Sequence, residues 1–197
     1  NFINTEFSLD LLRVGKRFDK LFFTLDWRVK YDGEFHYSKD FLGFFVNGNG
    51  NYMGDRYADF SIGVDMSLVS EIALGVQYEI NDKLTVAVRP KLVCGVANIS
   101  VNGDNTKVYT DEETYDMYAD VDMKVQSSTL LDLNLNRIGD LMTYDFSQLG
   151  IADVFRFKDN FGFGIDLGAS YTFNKHFGVA AGVYDLGLIK WKNVREK

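Results

Sequence analysis

The residues that could do chemistry in this chain are few and scattered. Its two histidines, His36 and His176, fall in a long connection and a tight turn, and neither has further His, Cys or acidic residues at a metal-ligand spacing. Cys94, the single cysteine, lies between Leu92 and Val96 on an apolar parity and reads as a small hydrophobe, buried or facing lipid, rather than a nucleophile. One cysteine makes no internal disulfide, so the redox compartment stays open. The stretch NGNGNYMGD, residues 47–55, is rich in Gly and Asn but follows no strand and opens no helix, which makes it a loop and not a phosphate cradle. Asp111, Glu112, Glu113, Asp116, Asp120 and Asp122 form an acidic tract whose spacing matches no EF-hand loop and reads as a solvated rim. Asp166 and Asp185 recur in two DLG blocks, with structural roles expected for both. No Ser/His/acid constellation is present. The expectation is a non-enzymatic protein with no catalytic, cofactor-binding or metal residues and no cofactor.

Charged residues are informative in another way, through the elements that must position them. Over most of the chain apolar and polar residues alternate with a period of two, the mark of β-strands with one oily and one polar face. Around a turn at Phe18-Asp19-Lys20, alternation pairs Leu11 with Trp27, Leu9 with Val29 and Phe7 with Tyr31. The opposite face then matches Asp10 with Arg28 and Ser8 with Lys30. A second hairpin turns at Asn81-Asp82-Lys83, with one long strand expected over 58–80, a break near Ser70 being the alternative. A third turns at Asn174-Lys175-His176, and a further one folds back at 111–114, returning over 115–125. The connections over 32–56 and 127–160 are much longer than these turns. Pro90, on the apolar parity and without an N–H, predicts a bulge or an unpaired position. Asp185 falls on the oily parity just before the apolar positions shift, which predicts a bulge that turns its carboxylate to the polar side. SKDFLGFFV, from Ser38, is able to form a short helix capped by that serine; it reads as a loop packed on a rim or, in the sharper alternative, as a helical lid or plug.

Composition narrows the classes. A chain of 197 residues with 46% hydrophobic and 25% charged residues is folded, and one domain over 1–197 is expected. A net charge of −7 without a basic cluster disfavours nucleic acid as a partner. Fifteen per cent aromatics and a single Pro fit a β-rich fold. A mean hydropathy of −0.13 is that of a soluble protein, or of a membrane barrel whose alternating strands average to the same figure.

Which face meets solvent therefore decides the reading. The run 177–191 has 14 steps, which at about 3.3 Å each and a tilt near 45° climb about 33 Å, enough to cross a hydrocarbon layer. Gly162, Gly164, Gly168, Ser170 and Thr172 oppose Gly178, Ala180 and Gly182 on the other face, a set suited to a lumen. Asp10, Asp26, Arg28, Lys30, Glu79, Arg89, Lys91 and Asp166 share this polar parity and are the lumen-facing candidates.

Three blocks, INDKLTVAVRPKLVCGVAN (80–98), GFGIDLGASY (162–171) and VYDLGLIKW (183–191), resemble recurring segments of a large Bacteroidetes outer-membrane family of unknown function, itself similar to fatty-acid-transporter type barrels. The chain resembles the central part of that family, with Ala87 where the pattern has Gly and without an export signal, early strands or a closing terminal strand. The resemblance implies an antiparallel up-and-down transmembrane β-barrel of about eight strands, part of a wider one, with long loops on one side. It places the chain in the bacterial outer membrane, in contact with its lipid, for porin-like passage or binding of a small solute or as a barrel subunit with other envelope proteins. The competing expectation is a soluble periplasmic or surface all-β module that encloses a lipophilic ligand.

Overall fold

The computed structural model describes residues 1–54, 56–129, 160–192 and 195–196. The alternation becomes long antiparallel strands: β1 (Phe2–Phe18), β2 (Leu21–Tyr37), β4 (Ile62–Glu79) and β5 (Leu84–Gly103), with the short β3 (Tyr57–Asp59) before β4. They are followed by β6 (Lys107–Thr110), β7 (Met117–Asp120), β8 (Lys124–Thr129), β9 (Phe161–Asn174), β10 (Phe177–Lys190) and β11 (Arg195–Glu196). One helix, α1 (Lys39–Asn47), lies between β2 and β3. The fold is all-β and antiparallel, built as an eight-stranded sheet and a three-stranded sheet, β3-β6-β7.

The larger sheet has six positions across. β1, β2, β4 and β5 are neighbours in that order, and β5 is so long that two strands share its far side: β8 along Ala97–Asn102 and β9 along Leu84–Cys94. β10 then pairs with β9 and β11 with β8. β8 and β9 form one interrupted strand, and residues 130–159 between them, where most of the long 127–160 connection falls, lie outside the described residues. Among the described residues the sheet does not close on itself, since β1 and β10 each pair on one side only.

Short turns lie at one end and long connections at the other. Asn81 Oδ1 accepts from the Lys83 and Leu84 N–H groups, and Asn174 Oδ1 accepts in the same way from His176 and Phe177. Each side chain thereby supplies an acceptor the turn backbone lacks. The first turn is tighter than expected, with only Asp19 and Lys20 between paired Phe18 and Leu21, and Asp19 takes a left-handed φ of 49°. At the opposite end sit α1 and the small sheet. Ser38 caps α1, accepting from Phe41 N–H at 3.0 Å. Phe41 and Phe44 pack edge-on against Phe60, with Phe44 also stacked on Tyr52, so the helix packs on neighbouring loop and strand residues of that end.

Several expectations need correction. Leu12, not Leu11, pairs with Trp27, because a bulge follows Asp10. The strand expected over 58–80 breaks at Phe60-Ser61, where the Asp59 carboxylate accepts from Ser61 N–H at 2.8 Å and turns the chain from one sheet to the other; there is no break at Ser70. The return over 115–125 is likewise divided between β7 and β8. His36 lies within β2, which extends through the start of the 32–56 segment, and its Nε2 is 3.0 Å from Glu34. Around Pro90 the β4 ladder is interrupted at Leu74 and Gly75, and a bulge between Val183 and Leu186 carries Asp185 at φ 57°, both as expected.

Where the chain re-enters the large sheet, Asn160 is fully buried. Its Nδ2 donates to Gly95 O at 3.2 Å and its Oδ1 accepts from Lys192 N–H at 2.8 Å, tying β9, β5 and the link after β10 together. Asn160→Ala removes both of these hydrogen bonds from a fully buried position. An expected loss of about 2 kcal/mol is read from the midpoint of urea unfolding in detergent or lipid.

At the other connection Asp111 accepts from Thr114 and Glu113 backbone N–H groups, which hold its carboxyl below the usual range. Because the folded pKa is depressed, this contribution is present above the ordinary aspartate pKa and is lost as pH falls through the depressed one. Protection of the Thr114 amide, its exchange rate relative to that of an unstructured amide at the same pH, should therefore be kept at neutral pH and lost on acidification. An Asp111→Asn protein should show no such acid step.

Candidate functional site: a charge network on the polar face

Register places the polar residues of β1, β2, β4, β5 and β9 on one face. Arg13, Asp26, Ala73, Lys91 and Gly164 form one row; Asp10, Arg28, Glu71, Val93 and Gly162 form the next. Small residues in the middle of these rows, Ala73 with Gly75 one row further on, leave room for long side chains to cross β4. Any Cβ on Gly75 would meet Thr24 Oγ1.

Across that space the charges alternate in sign without a gap. Arg28 Nε donates to Asp10 at 2.6 Å, and Arg13 bridges Asp10 at 3.1 Å and Asp26 at 2.6 Å. Arg89 sits 3.3 Å from Asp26 and donates to Asp166 at 3.1 Å; Lys91 binds Asp166 at 2.6 Å and also Asp185. Lys30, 3.1 Å from Asp185, ends the series. Five cations and four anions are linked in this way, and Glu71, beside Arg28 in its row, brings the set to neutrality.

Three-dimensional placement supports the eight sequence candidates as one face. Seven of them join this network, and Glu79 pairs with Arg17 nearer the turn end. Sequence reasoning missed Arg13 and Glu71. The Asp-Leu-Leu-Arg order, with adjacent leucines both exposed, was the available signal for Arg13: a bulge at Leu11 brings Asp10 and Arg13 to the same face. Glu71 had no such signal, because Val69 and Ala73 flank it on its own parity.

Burial is the reverse of that in a water-soluble sheet. Asp26, Glu71, Lys91 and Asp166 are 4–6% exposed, while Phe7, Phe163 and Leu188 on the other face are 63%, 56% and 61% exposed. The buried apolar residues among those described are small: Ala58, Ala73, Cys94 and Val96. At the turn end Phe173 stacks on Phe177 at 5.2 Å and meets Tyr171 edge-on at 4.8 Å, an aromatic border to the oily face.

Among the described residues, no group of three or more His, Cys, Asp or Glu side chains is placed to hold a metal ion. Among the described residues no helix is long and apolar enough to cross a membrane, which says nothing about crossing by strands.

A family model describing a family of unknown function, DUF5723, matches residues 1–197. The chain belongs to that family. DUF5723 thus covers the whole chain, including the three blocks at 80–98, 162–171 and 183–191. No curated protein and no solved structure matches it.

Proposed function

We propose that this chain is a non-enzymatic part of an outer-membrane β-barrel, whose oily face meets lipid and whose charged face lines a polar lumen, and that further strands complete the wall beyond β1 and β10. Its task is passage or binding of a small solute. The observation that carries the reading is the inverted polarity: Asp26, Glu71, Lys91 and Asp166 are packed away while Phe7, Leu25, Leu74, Phe163 and Leu188, on five strands of the sheet, stand exposed. In water such a face is an association hazard far beyond the few hundred Å² of apolar patch that monomers expose. In a bilayer it is the required surface.

Strand length agrees. The 17 residues of β2 span about 53 Å along the strand, or about 37 Å along the membrane normal at a 45° tilt. The division into short turns at one end and long, structured connections at the other is that of outer-membrane barrels. A soluble module around a lipophilic ligand needs the oily faces turned inward, and nothing in the exposure of Phe163 or Leu188 favours it.

Membrane fractionation of the full-length parent protein, followed by gel migration with and without heating, tests the reading. A faster unheated band in the outer-membrane fraction is expected. A single band at every temperature, in the soluble fraction, overturns it.

A further inference from the structure

Between the charge network and the end bearing the long connections, the polar face changes character. A hollow of about 370 Å3 is lined there by Glu6, Asp32, Glu34 and Asp65 among uncharged neighbours, with no Lys or Arg. Of these carboxylates only Glu34 has an ion-pair partner among the described residues, His36. Asp32 also lines a second hollow deeper along the face, of about 190 Å3, together with Lys30, Glu71, Lys91 and Asp185. The two hollows therefore share a wall.

Glu71 marks the deeper one. The residue is 5% exposed, and its Oε2 is shielded from solvent with no hydrogen-bond partner. A buried carboxylate oxygen left in that state is costly unless a donor reaches it. The nearby ammonium groups are already engaged: Lys91 with Asp166 and Asp185, Lys30 with Asp185. The charged groups lining this hollow are two cations against three anions, Asp32, Glu71 and Asp185, one positive charge short of balance.

The geometry points to a binding site for a small monovalent cation with N–H donors, a primary ammonium group, which enters along the acidic strip and donates to Glu71 Oε2. The inference rests on reading this face as a lumen and deepens it by naming the solute class. A cleft of one charge sign between low-dielectric walls concentrates counter-ions, and carboxylates along a pore favour cations. The acidic strip supplies the attraction, and Glu71 supplies the acceptor that holds the ammonium in place.

Saturation-transfer NMR on the folded full-length protein tests it, with ethylammonium as probe and ethanol and acetate as comparators of similar size. Ethylammonium should give a signal at least five-fold above both comparators. Glu71→Gln should reduce it to their level, and Asp32→Asn, which touches no ion pair of the network, should weaken it several-fold. Equal signals from the three probes, or an ethylammonium signal unchanged in both variants, overturn the site. Zero-current potentials across a planar bilayer under a KCl gradient separate this result from the wider reading. A cation-selective sign reduced by either substitution supports the inference, and unselective or anion-selective conductance overturns it. Ethylammonium binding without any conductance supports the site and removes solute passage as its purpose.

Discussion

Leu167→Arg should destabilise the folded protein in lipid by about 2–4 kcal/mol, the cost of a cation on the lipid face near the bilayer midplane. Leu167 is 43% exposed, and its row neighbours Val88 and Val183 are exposed as well, at 38% and 50%, so no protein core surrounds the site. It lies seven residues from Asn174 at the turn end, or about 16 Å along the normal at a 45° tilt, close to mid-depth in the proposed membrane. At an exposed position in water the same substitution would stay within about 0.5 kcal/mol. The choice of solvent thus separates two outcomes by several-fold. Urea unfolding from lipid vesicles, with Leu167→Arg beside wild type, reads the difference. A change under about 0.5 kcal/mol would mean that water, not lipid, meets this face.

Local features of the sequence carried much of this architecture. Period-two alternation marked the long strands, and cross-strand charge matching set Asp10 opposite Arg28 and Ser8 opposite Lys30, the pairs that form. Asn81 and Asn174 announced their turns because an Asn side chain satisfies the turn backbone locally. Asp185 on an oily parity announced its bulge because a carboxylate does not remain on that side. What was illegible depends on contacts between strands that are not sequence neighbours in the sheet. Arg89 reaches Asp26 across β4 only because Gly75 and Ala73 leave that strand low, a relation no single strand displays. The small sheet was hidden for a different reason. The apolar parity runs unbroken through Phe60, and the bend is held by the Asp59 carboxylate on Ser61 N–H together with contacts to distant residues, Phe60 N–H to Thr106 O and Ser61 Oγ to Asp104 O, that the parity does not display. What pairs with the outer sides of β1 and β10 was illegible too, because alternation within a strand carries no information about the partner of an outermost one.

Lys91→Met should be the most damaging single change on the polar face, lowering stability by about 3–5 kcal/mol, the usual cost of removing one partner from a buried ion pair. Lys91 holds two carboxylates, Asp166 at 2.6 Å and Asp185, and its side chain is 4% exposed. Met fills similar volume, so packing is largely kept and the loss isolates the charge. Asp166 retains Arg89 and Asp185 retains Lys30, yet each loses its shared cation. Arg13→Met, at the opposite edge of the network, provides the comparison. The Arg13 side chain is 54% exposed, and screened pairs of that kind contribute about 0–1 kcal/mol. Its bond to buried Asp26 raises the cost toward the upper end of that range, because Asp26 then keeps only Arg89 and the Thr24 hydroxyl among the described residues. If the two substitutions cost the same in urea unfolding, the network is a set of independent surface pairs. A several-fold larger cost at Lys91 means that buried charges on this face depend on one another, with Lys91 as the junction between the β2, β5, β9 and β10 positions.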